Sequence, residues 1–445
     1  MTQHAFPRNF KTKYLEADHG EGIYIYDKSG KKYLDGCCGA LISNLGHCVP
    51  EIIEAVKEQY GKLEFAHPSR WHSDVVEEAA TAVAETAPGD LDQVWFVSGG
   101  SEAIESALKL ARQYFVERDG MSTSKHLTLG RWNSYHGSTV GTMAIAGSME
   151  RRRVFAPLFR ESPKAAEAYC YRCPFHAQYP SCGCLCAKDV EHQIKVIGPQ
   201  YITSFIAEPL VGSTVGAIVP PDEYWPMVRE ICTKYDILLI ADEVMTGCGR
   251  TGKNFAVNHW DVVPDIIATA KGLAAGYVPT GGIIAKTSIV EALKNGSGAF
   301  MHGHTYNGNP MSAAAVVAVF KYMKEHDLVA NAAKMGEKLG EGLKKIGAAN
   351  PIVGDVRGKG LMWGFELVKD KASKAPFEKK QGASALATKE CIEQGLIIYP
   401  GSGQIEGVAG DNFLLAPPLV INEAQVDELL MKLEAGLAAA AAKLA

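Results

Sequence analysis

The chain has 445 residues, more than one hydrophobic core ordinarily serves, so two domains or one large α/β domain with an appendage are expected. Hydrophobic residues at 47% and charged residues at 21% are the balance of a globular protein in water. With 50 acidic side chains against 45 basic ones the net charge is −5, too even for a nucleic-acid or membrane-surface protein, and no apolar run is long enough to span a bilayer.

The first twenty residues contain no apolar stretch of the kind a secretory leader needs. The 11 cysteines are an odd number in clustered spacing, which suits reduced thiols better than a disulfide framework. A cytoplasmic location is the expectation.

GIYIYDKSGKKYLDG (residues 22–36) alternates apolar and polar side chains about a KSGK turn, the pattern of a β-hairpin. Helical periodicity follows Pro50. In DQVWFVSGGSEAIESALKLARQYF a buried strand runs into Ser98-Gly99-Gly100-Ser101 and then a helix with apolar spacing from Ile104. Glycines allow the tight turn, and the helix start offers free N–H groups at a positive dipole end, which is a phosphate cradle in physical terms. The plainer alternative makes Ser101 an ordinary helix cap. Tyr135-His136-Gly137 ends the next strand segment, and a tyrosine beside a small residue can stack on a flat heteroaromatic ring or simply fill core.

YCYRCPFHAQYPSCGCLCAKDVE carries Cys170, Cys173, Cys182, Cys184 and Cys186 with His176 between the groups. These are enough soft ligands for a structural zinc site. However, alternating cysteines on an extended strand would share one face, so no metal is assigned and a thiol-rich surface loop is expected. YITSFIAEPL reads as a buried strand ending in Glu208, in the row where open α/β sheets meet their ligands.

Residues 236–276, DILLIADEVMTGCGRTGKNFAVNHWDVVPDIIATAKGLAAG, hold two buried strands. The first ends at Asp242, with Val244 two residues on and so on the same side of the extended chain; the second delivers Lys271 into a loop of Gly and Ala. Each alone has a bland explanation, a helix cap for the acid and a solvated side chain for the amine. Together they are the two groups pyridoxal phosphate needs: a carboxylate for the ring nitrogen and an amine for the aldehyde.

ADEVMTGCGRTG followed by PDIIATAKGLAAG resembles the signature of the class III (omega) aminotransferases, pyridoxal-phosphate enzymes of fold type I, and other segments repeat the resemblance from Asp35 to Pro418. The resemblance implies a large domain with a mainly parallel central sheet and a smaller α+β domain built from the N- and C-terminal segments. It divides the chain into an N-terminal segment 1–60 that packs with the small domain, a cofactor-binding domain 61–325 with the Cys-rich insertion at about 168–188, and a C-terminal small domain 326–445. It further implies Lys271 and Asp242 as catalytic residues, Gly100 and Ser101 on the phosphate, Tyr135 and Val244 on opposite ring faces, and Glu208 close to cofactor and substrate. Thr305 would reach the phosphate across a subunit interface, making a homodimer, or a dimer of dimers, the working unit. The expected reaction is ping-pong Schiff-base transfer of an amino group to a keto acid, preferably pyruvate.

Three weaker pocket assignments complete the reading. Leu41 stands near a position where many amine transaminases carry a bulky aromatic. In the loop GSGQIEGVAGDNFLLAPP, related sequences with a similar Cys-rich insertion often have an arginine where Ala409 stands here, and there is no arginine after Arg357. Bidentate carboxylate recognition needs a guanidinium or an equivalent, so either another basic residue does that work or one substrate is a plain amine, with Glu406 a contact for its distal cation. A decarboxylase or aminomutase on the same scaffold, and a non-catalytic metal-binding or redox-sensing protein built around the cysteines, are the rival readings.

Overall fold

Strands Ile202–Ala207, Leu238–Asp242 and Ile266–Ala270 are buried at every position, so an almost unbroken apolar sequence suits them where an alternating one would not. In the computed structural model, which describes residues 4–445, they form the centre of a seven-stranded sheet. Its order is Leu91–Val97, Gly281–Lys286, Ile266–Ala270, Leu238–Asp242, Ile202–Ala207, Leu127–Arg131 and Lys164–Ala165. Gly281–Lys286 runs against both of its neighbours, and the pairings from Ile266–Ala270 to Lys164–Ala165 are parallel. This is the mainly parallel α/β sheet expected for fold type I.

The helix Gly100–Asp119 lies against this sheet. Ala103, Ile104, Ala107, Leu110, Ala111 and Phe115, spaced three and four apart, form its buried stripe, and Gly120 at φ 87° ends it. Burying Leu110 and Phe115 contributes about 1.5–3 kcal/mol each. That anchorage matters for function, because it fixes the N-terminal turn at the sheet's carboxyl edge.

Two four-stranded sheets flank the central one. The predicted hairpin forms from Tyr24–Asp27 and Lys32–Asp35, its turn held by Asp27 accepting from the N–H groups of Ser29 and Lys31 at 2.9 and 3.0 Å. Leu396–Ile397 pairs parallel with Leu34–Asp35, which joins the N-terminal segment to the C-terminal one, and Tyr24 donates to Glu428 at 2.7 Å across the same contact. The other sheet is antiparallel, in the order Val353–Lys359, Met362–Leu367, Ala409–Leu415, Tyr399–Ile405. The closing Ala-rich run is part of a helix, Glu423–Leu444, with Leu433, Leu437 and Ala440 buried.

The Cys-rich segment departs from the extended strand expected of alternating cysteines. Cys184 sits at φ 56°, and the helix Leu185–Ile197 begins immediately after it, so Cys186 is helical. The same i, i+2 spacing is compatible with either conformation, and the left-handed residue decides it. Cys184 is buried, with its sulfur 3.7 Å from that of Cys186, while Cys170 is exposed. No group of three or more His, Cys, Asp or Glu side chains is gathered for a metal among the described residues. No helix among them is long and apolar enough to cross a membrane.

Candidate active site

Five chain segments meet at the carboxyl edge of the central sheet around a cavity of about 290 Å³. Asp242 is the last residue of its strand, and Lys271 follows the last residue of the next. Parallel pairing of Asp242 with Ala268 brings the two side by side despite the residues between them. Glu208 follows the third strand, and Tyr135-His136-Gly137 comes after the fourth. Ser98, Gly99, Gly100 and Ser101 close the cavity from the strand-to-helix turn. All of the residues named from the sequence for the ring and the phosphate loop line this cavity, together with Val244.

Asp242 is 3% exposed and orients in two directions. Its Oδ2 lies 2.7 Å from His136 Nδ1, and its Oδ1 accepts from the Val244 N–H at 3.1 Å. A carboxylate acceptor requires the proton on Nδ1 of the imidazole, so this hydrogen bond selects the tautomer. His136 Nε2 is buried without a partner. The neighbouring Glu243 points the other way, as strand geometry requires. It accepts from Val257 N–H at 2.9 Å and from the Thr246 hydroxyl, and burial pushes it up to about 7. Glu243 therefore braces a turn, and Asp242 faces the chemistry.

Glu208 accepts from the Tyr135 N–H at 2.9 Å, while its other oxygen stands 3.7 Å from Arg131 Nη2 with no hydrogen bond. Burial raises its pKa, with His136 and Arg131 pulling it back. Lys271 has φ 49°, in the left-handed region, a conformation that costs of order 1–3 kcal/mol at a non-glycine residue and that collects at functional sites. Burial pushes its amine down to about 8; the carboxylates of Asp242 and Glu208 oppose that shift and the Arg151 guanidinium adds to it. An amine so poised is a nucleophile close to neutral pH.

The phosphate end is shaped by missing Cβ atoms. A Cβ on Gly100 would lie 3.0 Å from Val244 Cγ1. On Gly137, at φ 134°, it would lie 2.5 Å from Ser101 Oγ. Ser101 Oγ accepts from the Ser138 N–H at 3.0 Å, which ties the turn after Tyr135 to the helix start. The cavity fits pyridoxal phosphate: it has an amine for the aldehyde, a carboxylate for the ring nitrogen, and a helix N-terminus with close backbone approach for the phosphate.

Not every expected residue arrives here. Leu41 is 1% exposed and packs in the core with Leu129 and Met362, and the cavity is lined by Ile42 instead. The pocket assignment thus moves by one residue, because Gly39 and Leu41 both have positive φ and the chain alternates irregularly there. Thr305 is exposed and outside the cavity of the single chain. Glu406, at φ 53°, is exposed on the tip between Tyr399–Ile405 and Ala409–Leu415, and neither it nor Ala409 lines the cavity. Sequence reasoning missed His136, Pro279 and Thr280. For His136 the only local signal was an imidazole adjacent to the stacking tyrosine, which does not reveal its partner Asp242.

An amine with a depressed pKa gives a direct test. In the apo-protein, the rate of cofactor uptake, followed by visible absorption, is expected to rise about tenfold per pH unit on the acidic side. It should level off above about 8, where Lys271 is already neutral. A rate still climbing toward the pKa of an ordinary lysine would contradict the buried setting.

Residues 5–437 match the family model described as aminotransferase class-III. The chain is 40% identical over 430 residues to YodT, an uncharacterized aminotransferase of Bacillus subtilis, covering 97% of this chain and 96% of that one. It is 36% identical over 418 residues to the putrescine–pyruvate aminotransferase of Pseudomonas aeruginosa, covering 92% and 87%. Among solved structures it superimposes on a transaminase from the marine bacterium Virgibacillus with a TM-score of 0.92, at 32% identity over 99% of this chain and 98% of that one. An (S)-enantioselective omega-transaminase from Thermomicrobium roseum gives 0.90, at 34% identity over 99% and 96%.

Proposed function

The chain belongs to the class-III aminotransferases, enzymes that depend on pyridoxal phosphate, and from that premise we propose an ω-aminotransferase that passes an amino group from an amine or ω-amino compound to pyruvate. The observation that carries the reading is the meeting of Lys271, Asp242 with His136, and the Gly100-Ser101 turn on one cavity. The donor is oxidised to a carbonyl compound and the keto acid is reduced to an amino acid, so the two half-reactions balance without an outside oxidant.

Bound pyridoxal phosphate supplies an aldehyde that condenses with amines and a ring that accepts the electrons released at the carbon bearing nitrogen. Lys271 would hold the cofactor through its amine, and that amine, when free, is placed to take a proton from the carbon bearing nitrogen and to deliver it to the former aldehyde carbon. Asp242 would keep a proton on the ring nitrogen, with the His136 hydrogen bond fixing the carboxylate for that task. Tyr135 and Val244 would hold the ring between them, and Gly100 and Ser101 would bind the phosphate. Glu208 anchors the Tyr135 backbone, and its other oxygen is buried near Arg131 without a hydrogen bond.

The donor class follows from the hairpin 399–415, which contains no lysine or arginine and presents Glu406 at its tip. Asn133, two residues before Tyr135, donates to Gln404 O at 3.2 Å and ties this hairpin to the site. A hairpin without a guanidinium offers no fork to an α-carboxylate, so this segment does not select for α-amino acids. The test follows the visible band of the loaded enzyme through a panel of donors. Loss of the band with putrescine, taurine or β-alanine and its return with pyruvate support the reading, and a profile dominated by α-amino acids sinks it. The putrescine–pyruvate enzyme named above is a relative consistent with this choice.

The division into segments 1–60, 61–325 and 326–445 is part of the same reading, supported by the pairing of Leu396–Ile397 with Leu34–Asp35; limited proteolysis should cut near residue 326 and leave the first and last segments associated. So is a homodimer in which Thr305 of one subunit serves the phosphate of the other. Met301 and Tyr306, 79% and 61% exposed on either side of Thr305, support a buried role for this loop in an assembly. A monomer mass by light scattering would remove that part of the reading. Eleven free cysteines among the described residues support a reducing, cytoplasmic setting, which cell fractionation would check.

A further inference from the structure

Arg151 stands out as a cation beside the active site with no anion assigned to it. It belongs to the short helix Met149–Arg152, which packs under the tip of the hairpin that carries Ala409. Arg153 Nη2 donates to Gly407 O at 3.4 Å, Ser402 donates to Glu150 at 3.2 Å, and a Cβ on Gly407 would sit 2.7 Å from Met149 Cβ. The helix and the hairpin therefore form one wall. The neighbouring arginine is spoken for, since Arg152 pairs with Glu161 at 2.7 Å.

Arg151 differs. Among the described residues its polar partners are the Ser213 hydroxyl at 3.0 Å from Nη1 and the Ser213 carbonyl at 3.3 Å from Nη2. A guanidinium carries five N–H donors, so three remain uncommitted, those on Nε and one on each Nη. Arg151 does not itself line the cavity, but its central carbon lies 4.7 Å from the centre of the Tyr135 ring, which does. Its charge is felt within the site, where it adds to the lowering that burial imposes on Lys271. A half-buried guanidinium fixed by serine and tyrosine, with a free donor edge, is built for a carboxylate.

We propose that Arg151 recognises the carboxylate of the keto-acid acceptor, the task for which position 409 offers only an alanine. The proposal rests on the ω-aminotransferase reading and extends it. A diamine enters the first half-reaction without needing Arg151, and the keto acid uses it in the second. Arg151 is thus a specificity-determining residue of the acceptor half.

The test compares acceptors that differ only in the carboxylate. With the amino group already on the enzyme from putrescine, pyruvate and acetaldehyde are each offered to wild type and to Arg151→Met. The expected result is a loss of about 100-fold in kcat/KM for pyruvate, carried by KM, with acetaldehyde changed less than about threefold. Arg151→Lys keeps the charge without the fork and should lose about tenfold for pyruvate alone, which preserves the test if the methionine variant does not fold. Binding gives a second readout: propionate should perturb the cofactor spectrum of wild type at far lower concentration than of Arg151→Met, while propionamide should treat them alike. Equal losses for both acceptors would assign Arg151 to holding Tyr135 and the Ser213 loop, overturning the proposal and leaving the aminotransferase reading intact. A wild-type enzyme whose band responds to no amine overturns that reading first, and the proposal with it.

Discussion

Replacing Lys271 with alanine is expected to lower turnover about 10,000-fold, because in the proposed mechanism one side chain serves both as the cofactor's covalent holder and as the mobile base. The fold should survive. Lys271 lines a cavity, its amine makes no hydrogen bond or ion pair among the described residues, and alanine at φ 49° is no more strained than lysine. Removing a buried amine also removes its desolvation cost, so the melting temperature should hold or rise slightly. The measurement is twofold. The visible band of the lysine-bound cofactor should be absent from the variant, and added methylamine should restore part of the rate by substituting for the missing amine. A variant that retains the band would mean another lysine holds the cofactor. No other lysine lines the cavity, so that outcome would remove the basis of the site itself.

What the sequence revealed and what it hid divide along a physical line. Asp242, Glu208 and Lys271 were legible because each ends or directly follows an almost unbroken apolar strand, and in an open parallel sheet that edge is where ligands sit. Gly100 and Ser101 were legible because a glycine turn between a strand and a helix has few other uses. His136 was overlooked for the opposite reason: its partner Asp242 is 106 residues away, and nothing in either local pattern records the 2.7 Å contact. Leu41 and Ile42 were exchanged where the backbone is irregular, since neither the period of a helix nor that of a strand applies between two residues of positive φ. The absence of an arginine at position 409 was plain in the sequence. That Arg151 stands on the same wall needed the fold, because the hairpin and the helix are some 250 residues apart along the chain and meet through a glycine carbonyl (254 residues between the two partners). The expectation of an extended cysteine strand failed because spacing alone does not show which residue will turn left-handed.

Asp242→Asn carries the second large effect, a fall of about 100- to 1,000-fold in the half-reaction with the donor amine. Asparagine keeps the size of the side chain and can still accept from the Val244 N–H, so packing is preserved. What changes is charge. An amide cannot hold a proton on a pyridine nitrogen as a carboxylate does, and without that proton the ring is a poorer acceptor of the carbanion's electrons. The exchange also disturbs His136, whose Nδ1–H has an acceptor only if the amide presents its oxygen; with Nε2 already unpartnered, the imidazole would then be unsatisfied on both sides. Two contributions are therefore mixed in the loss, and a cofactor methylated on the ring nitrogen separates them. Its positive charge is permanent and needs no carboxylate to maintain it. Asp242→Asn loaded with the methylated group should regain most of the lost rate if charge is the main term. Recovery of less than about tenfold would instead assign the effect to the displaced His136 and to misplacement of the ring, since an orientation lost with the carboxylate is not restored by charge. A variant that works at the wild-type rate with the ordinary cofactor would remove Asp242 from the chemistry altogether.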